Sequence, residues 1–384
     1  MKPAPVLNSS SLATLHSSFG SFLNNAVAVY PDTELAGVEE LHPIAIGYSA
    51  FRTKFSIILA LLFTCHFSNG QTDSTAAPDN IKSYAGNEMR MNGSGVKKLI
   101  TPAQKKQRQW LIAGINVAGY GGSLIALNNA WYKGYAKTSF HVFDDSREWL
   151  QMDKTGHAWG AYNAGRGSTA MWEWAGLPHK KAVWIGGLSS MAYLTTIEIL
   201  DAHSAKWGWS WSDIGANIFG SGLFMGQELL WNEQRIQFKF SFHTKKYNEP
   251  QLEHRADNLF GKPWYEQMLK DYNAQTYWLS FNLKSFLPES NLPAWLNVAV
   301  GYGADGMFGG FENKWLDETG NEITRHDIPR KRQFYLAPDI DFTKIRTKSK
   351  FLKTTFALLN AFKCPAPALM FDSKGKMKVY AFYF

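Results

Sequence analysis

Cysteine is almost missing from this chain. Cys65 and Cys364 are the only two in 384 residues, so no disulfide framework is on offer and stability must come from packing. Charge is thin as well. Charged residues make up 19% of the sequence against 45% hydrophobic, which excludes a disordered chain and supplies enough apolar side chain for a sizeable core. Several familiar signatures are also lacking: there is no zinc-finger, RNA-binding or helix-turn-helix pattern, no His-Glu-x-x-His, no nucleophile elbow and no internal repeat. Gly301-Tyr302-Gly303-Ala304-Asp305-Gly306 has no helix pattern after it, so it reads as a strand end and turn, not as a dinucleotide loop. These absences point away from nucleic acid as a partner and away from the common protease, nucleotide-binding and solenoid plans.

Aromatic residues, by contrast, are abundant. They make up 15% of the chain, with 15 tryptophans, a load usual where rings sit at a membrane-water boundary or in a large interface. The net charge of +8 is spread through Lys180, Lys181, Lys245, Lys246 and Arg330, as on a solvated surface that meets anionic lipid head groups.

Residues 52 to 70 carry the parts of a secretory signal. Arg52-Thr53-Lys54 is the basic start, Phe55 to Phe63 the apolar middle, and Ser68-Asn69-Gly70 the small-residue exit, too short an apolar run for a permanent anchor. Cleavage is expected after Gly70. A competing reading acylates Cys65 in Leu62-Phe63-Thr64-Cys65. Residues 1 to 51, without periodicity, form a non-native or disordered extension, and residues 71 to 100 read as a linker.

From 101 to 234 the pattern is helical. Thr101-Pro102 suits a helix start, and further helices are expected at 145 to 173, 180 to 203 and 211 to 234, the last capped by Ser210 or Ser212. After 234 the period drops to two. Ile236, Phe238, Phe240 and Phe242 alternate with Gln237, Lys239 and Ser241, and similar alternation runs through Tyr277 to Phe286, Leu296 to Tyr302, Gln333 to Phe342 and Lys378 to Phe384. Asp317 to Asn321 and Asp372 to Gly375 have hairpin-turn chemistry, and Lys348 to Phe362 reads as an amphipathic helix. The expected fold class is α+β: an N-terminal helical bundle over 101 to 234, then an antiparallel β-meander or partial barrel with aromatic faces over 235 to 384. The apolar strand faces either form a lipid-facing belt or pack on the helices.

Three helical segments carry polar residues on one face. Asp153 and His157 lie one turn apart with Lys154 between them, Glu198 and Asp201 lie three residues apart, and Asp213, Asn217 and Gly220 follow one another at steps of four and three. Ionisable groups among packed helices cost several kcal/mol unless they meet partners, so these faces are expected to look at one another. Lys154, Arg166 and Lys206 are the available counter-charges, and Gly156, Gly160, Gly215 and Gly220 would allow close helix approach. His157 with Asp153 and Glu198 forms a candidate catalytic set, a carboxylate-imidazole pairing suited to general base work. His157, Asp153, Glu198 and Asp201 form a candidate divalent-metal set. A structural polar network, with Lys154, Asp201, Asp213 and Asn217 as members, is the plainer alternative.

The order Asp153-Lys154-x-x-His157, then Glu198-Ile199-Leu200-Asp201, then Gly208-Trp209-Ser210-Trp211-Ser212-Asp213 resembles the YfiM-type family of predicted periplasmic or outer-membrane lipoproteins over residues 145 to 230. More distantly it resembles VanZ-like membrane proteins. The resemblance implies an envelope protein but no established activity, and the β half is an addition to it. Two functions follow as expectations: an outer-membrane-associated structural or assembly component, partnered by membrane lipid or other envelope proteins, or a membrane-interface hydrolase or transferase acting on lipid or glycan through the His/carboxylate site.

Overall fold

Thr101 opens the first helix with a reciprocal cap. Its hydroxyl accepts from Gln104 N–H at 3.2 Å while the Gln104 side chain accepts from Thr101 N–H at 3.0 Å, which satisfies two of the donors a helix start leaves free. In the computed structural model, which describes residues 100–128, 132 and 135–384 and a short ladder joining Met91–Asn92 to Gly95–Val96, this helix is α1 (Pro102–Leu127). The expected signal, Cys65 and the N-terminal extension lie outside the described residues. Helices α2 (Met152–Trp174), α3 (His179–Ala202) and α4 (Trp211–Trp231) follow. Of the two candidate caps for α4, Ser210 accepts from Asp213 N–H at 3.0 Å.

The second helix starts later than its periodicity predicts. Residues 145 to 151 do not join it, because Trp149, Leu150 and Gln151 take φ values of 47°, 51° and 64°. Left-handed backbone costs a non-glycine residue roughly 1–2 kcal/mol, so neighbours must hold the turn. Trp149 N–H donates to Gly310 O at 2.7 Å, Arg332 donates to the Gln151 side chain at 2.6 Å, and the Tyr302 hydroxyl donates to Leu150 O. All three partners come from the β half.

Of the glycines expected to allow close helix approach, Gly220 does so, and Gly186, not among them, does as well. A Cβ at Gly220 would sit 2.0 Å from Ala158 O, and one at Gly186 would sit 2.2 Å from the Thr169 hydroxyl. Gly160 and Gly215 have nothing within 4 Å. Gly156 meets Tyr277 of the sheet rather than another helix.

The strands are β1 (Ile236–Phe242), β2 (Gln275–Asn282), β3 (Leu296–Asp305), β4 (Lys314–Leu316), β5 (Glu322–Thr324), β6 (Lys331–Ile340), β7 (Ala366–Asp372) and β8 (Met377–Tyr383). Six of them form one antiparallel meander in the order β8-β7-β6-β3-β2-β1, interrupted by the separate β4–β5 hairpin. The fold is α+β, and the described strands do not close into a barrel. Helices α5 (Pro250–Phe260) and α6 (Trp264–Lys270) link β1 to β2, α7 (Leu283–Phe286) follows β2, and α8 (Lys350–Leu359) precedes β7. The alternation read through Tyr277 to Phe286 therefore stops at Asn282, and Leu283 opens a helical turn.

Phe240, Tyr277, Tyr302, Phe334, Phe371 and Met377 line up across all six strands. At the β1–β2 end this apolar face packs on the helices, where Phe238, Phe240 and Tyr277 share a core with Ala158, Tyr162, Val183 and Phe224. Toward β8 the same face is exposed at Phe334, Phe371, Met377 and Val379. The expected packing of the apolar faces on the helices thus holds at one end of the sheet, and the other end is left uncovered by the described residues.

The opposite face is not a solvated polar face. Gln237, Lys239 and Ser241 are buried. Lys239 Nζ pairs with Asp339 Oδ2 at 2.8 Å, both side chains 0% exposed. Gln237 donates to Asp341 at 2.6 Å and accepts from Asn360 at 2.6 Å, so this interior meets the rule that buried charge needs partners. Trp278, Tyr335 and Tyr383 fill the rest of it. The Tyr383 hydroxyl lies 2.9 Å from that of Thr276, so the last strand reaches back over the second and the sheet curls. Residues 361 to 363, after α8, cover the outer edge of β1 through Phe240 N–H to Ala361 O at 3.0 Å and Lys363 N–H to Phe240 O at 2.9 Å, which removes an open edge.

His243, just past β1, meets Tyr383 edge-on with ring centroids 5.7 Å apart and keeps a buried Nδ1 without a hydrogen-bond partner among the described residues. Burial first, then Lys245, pulls its pKa down to about 4. Between its ordinary pKa near 6.5 and 4, the unfolded chain binds a proton that the folded chain refuses. Stability is therefore lost as pH falls through that window, by about 3 kcal/mol in total. Denaturant titrations at pH 7 and pH 4.5 are expected to show a smaller acid loss for His243→Phe than for the parent protein.

Candidate functional site

One end of the helical bundle collects acidic residues. Asp153 and Asp213 lie in the first turns of α2 and α4, where helix dipoles favour negative charge, while Glu198 and Asp201 lie in the last turn of α3. Lys154 Nζ sits among three carboxylates, 2.5 Å from Asp145 Oδ2, 3.0 Å from Asp153 Oδ2 and 2.9 Å from Asp213 Oδ1. Asp145 Oδ1 accepts from Ser210 and Ser212 at 2.6 and 2.7 Å. Asp153 Oδ1 accepts from the Tyr272 hydroxyl at 2.6 Å.

His157 lies beside this ion cluster. Its Nε2 is 3.9 Å from Asp213 Oδ1, and its Nδ1 is 3.6 Å from Glu198 Oε1 and 3.3 Å from Asn217 Oδ1. The structure brings Asp153, Lys154, His157, Glu198, Asp213 and Asn217 together. Asp201 is at the same bundle end, but its carboxylate is taken by the Tyr132 hydroxyl at 2.7 Å. Of the expected counter-charges only Lys154 enters the cluster. Lys206 donates to the Tyr135 hydroxyl, and Arg166 reaches Ala357 O on the sheet side.

Three polar atoms in the cluster have no hydrogen-bond partner among the described residues. They are Oε1 of Glu198, a residue 1% exposed, Nδ2 of Asn217, 0% exposed, and Oδ1 of Asp213, 4% exposed, Lys154 donating to Oδ2 instead. An unsatisfied buried group costs roughly 1–3 kcal/mol, and more when charged. Burial, reinforced by Asp213, pushes Glu198 up to about 8. Burial raises Asp201 to about 6, and burial together with Asp153 raises Glu148 to about 7. Burial and Asp153 also raise Asp213. Asp153 goes the other way, because His157 and Lys154 outweigh its burial. His157 is raised in turn, burial being overcome by Asp153, Asp213 and Glu198. The Lys154 ammonium is held charged by Asp153 and Asp213 against its own desolvation.

Asp153, His157 and Asp213 each offer one ligand atom, all within 4.8 Å of one another. This set keeps Asp153 and His157 of the expected metal set but not Glu198 or Asp201: Asp213 enters, Glu198 lies at the Nδ1 side of His157, and Asp201 faces Tyr132. Sequence reading missed Asp145, the second role of Ser210 and Ser212, Tyr132 and Tyr272. Asp145 is signalled only by its closeness to the motif. Tyr272 comes from the segment after α6 and carries no local sign of its role.

Residues 142–226 match the model of a family described as a predicted periplasmic lipoprotein, DUF2279. The match carries neither the YfiM name nor the VanZ-like resemblance, and it does not reach the β half. It spans Asp145 through Asn217, the whole cluster apart from Tyr132 and Tyr272, and supports an exported protein of the periplasm. No curated protein and no solved structure matches the chain.

Removing the ammonium leaves three carboxylates facing each other. Lys154→Met is expected to cost about 3–5 kcal/mol of stability, read from denaturant midpoints. Tyr272→Phe removes one hydrogen bond to a charged acceptor and is expected to cost about 1.5–3 kcal/mol.

Proposed function

We propose that this chain, exported by the signal ending at Gly70, is a hydrolase or transferase acting on a lipid or glycan at a membrane surface of the envelope, with its chemistry centred on His157. The observation that carries this is the unfinished state of the cluster: Glu198 Oε1 and Asn217 Nδ2 are buried beside His157 without partners. A network selected for stability would satisfy them, as the Lys239–Asp339 network does. Membrane lipid as the setting is supported by large apolar side chains exposed on three helices, including Trp110 and Val117 on α1, Trp184 and Leu188 on α3, and Trp211 and Phe219 on α4. Exposed apolar surface on this scale marks an interaction site.

A second reading, an outer-membrane structural or assembly component, is favoured by the uncovered apolar face of β6–β8, which would suit another envelope protein. The two separate on one variant. In cells lacking the native copy, His157→Ala is expected to accumulate as a folded protein yet lose at least about 100-fold of the parent's effect on envelope lipid or glycan composition, the scale of a lost acid-base or ligand group. Loss of function merely in proportion to folded yield would support the structural reading instead.

A further inference from the structure

Resting on the reading of this cluster as a reactive centre, we propose that Asp153, His157 and Asp213 bind one divalent transition-metal ion, of the Zn²⁺ or Mn²⁺ class, and that Glu198 orients His157 as its ligand. The imidazole supplies the argument. Nδ1 faces two oxygens, Asn217 Oδ1 at 3.3 Å and Glu198 Oε1 at 3.6 Å, so the ring proton belongs on Nδ1 and the lone pair on Nε2. That lone pair looks toward Asp213 Oδ1, 3.9 Å away. A lone pair and a carboxylate oxygen repel each other unless a proton or a metal cation stands between them, and a divalent ion bound there takes the place of the Nε2 proton. A ring donating through one nitrogen to a carboxylate while the other nitrogen meets the metal is the usual second-sphere arrangement of metal-binding histidines.

The distances agree with one ion. Ligands about 2.1 Å from a metal lie at most about 4.2 Å apart, and the three donor atoms, within 4.8 Å of one another, need to close by only a few tenths of an ångström. Charge agrees too. Four carboxylates meet Lys154 or His157 (Asp145, Asp153, Asp213 and Glu198), and the ammonium together with an imidazolium offsets only two of them. Beyond the count of charges, Asp213 Oδ1 is buried without a hydrogen-bond donor among the described residues, Lys154 donating to Oδ2 instead, and it faces His157 Nε2. An imidazole ligand favours a transition metal over Mg²⁺ or Ca²⁺, which prefer all-oxygen sites. His157 is then a ligand, not a free base.

The test is equilibrium dialysis of the purified full chain, stripped with chelator, against ZnCl₂ and MnCl₂, with bound metal counted by elemental analysis and folding followed by circular dichroism. The parent protein is expected to bind one equivalent of one of these ions. Asp213→Asn, close to isosteric, is expected to weaken binding at least 100-fold, and Glu198→Gln about 10–100-fold. Asp201→Asn, outside the ligand set, is expected to leave binding unchanged. Absence of stoichiometric binding by the folded parent protein would overturn the proposal, as would binding indifferent to Asp213→Asn. A metal-free parent whose effect in cells still depends on His157 would reject the metal alone. A metal-binding protein whose effect tracks only folded yield would reject the enzymatic reading alone.

Discussion

The ammonium of Lys154 holds this site in being. Three aspartates from three separate pieces of chain, the loop before α2, the start of α2 and the start of α4, converge within 3.0 Å of it. Without a buried positive charge they would repel one another in a low-dielectric setting, and the ends of α2 and α4 could not approach. Because the helices do approach, with Gly220 against Ala158, His157 is carried into range of both Glu198 and Asp213. The geometry of the reactive group thus follows from one lysine and one glycine.

The β half is tied to that geometry. It clamps the left-handed turn at 149 to 151 through Gly310, Tyr302 and Arg332, and it supports the carboxylate of Asp153 through Tyr272. Strained backbone beside an ion cluster persists only where surroundings over-determine it, and here the sheet and its loops supply the determination. The sheet has a stable interior of its own, built on the fully paired Lys239–Asp339 couple. The two buried ion systems therefore differ in kind: the one inside the sheet has its donors and acceptors matched, and the one at the bundle end does not.

Much of this was legible in the residues, and the failures have physical causes. Helical and strand periods located α2 to α4 and most of the meander, because one-sided burial writes itself into spacing. The turn at 149 to 151 left no trace, since nothing local to Trp149, Leu150 or Gln151 announces positive φ. β7 was hidden because Cys364-Pro365-Ala366-Pro367, which runs into its start, reads as the end of the preceding helix. The spacing of β1 separates a polar from an apolar face without saying that both are buried. Within the site, i and i+3 or i+4 spacing found Asp153, His157, Glu198 and Asp213. Tyr272 and Tyr132 are joined to them only by the tertiary fold, and no sequence rule spans such a distance.

The central claim is that the unfinished cluster costs the fold stability and is kept for what it does. Thermal unfolding of Glu198→Gln against the parent protein, both in chelator at pH 9, above the value of about 8 to which burial raises Glu198, tests it most directly. The account predicts a higher midpoint for the variant, because a buried carboxylate without a donor is replaced by a neutral amide of the same shape. A midpoint lowered by several degrees would mean that the ionised Glu198 is a structural member of a satisfied network, and would contradict the account.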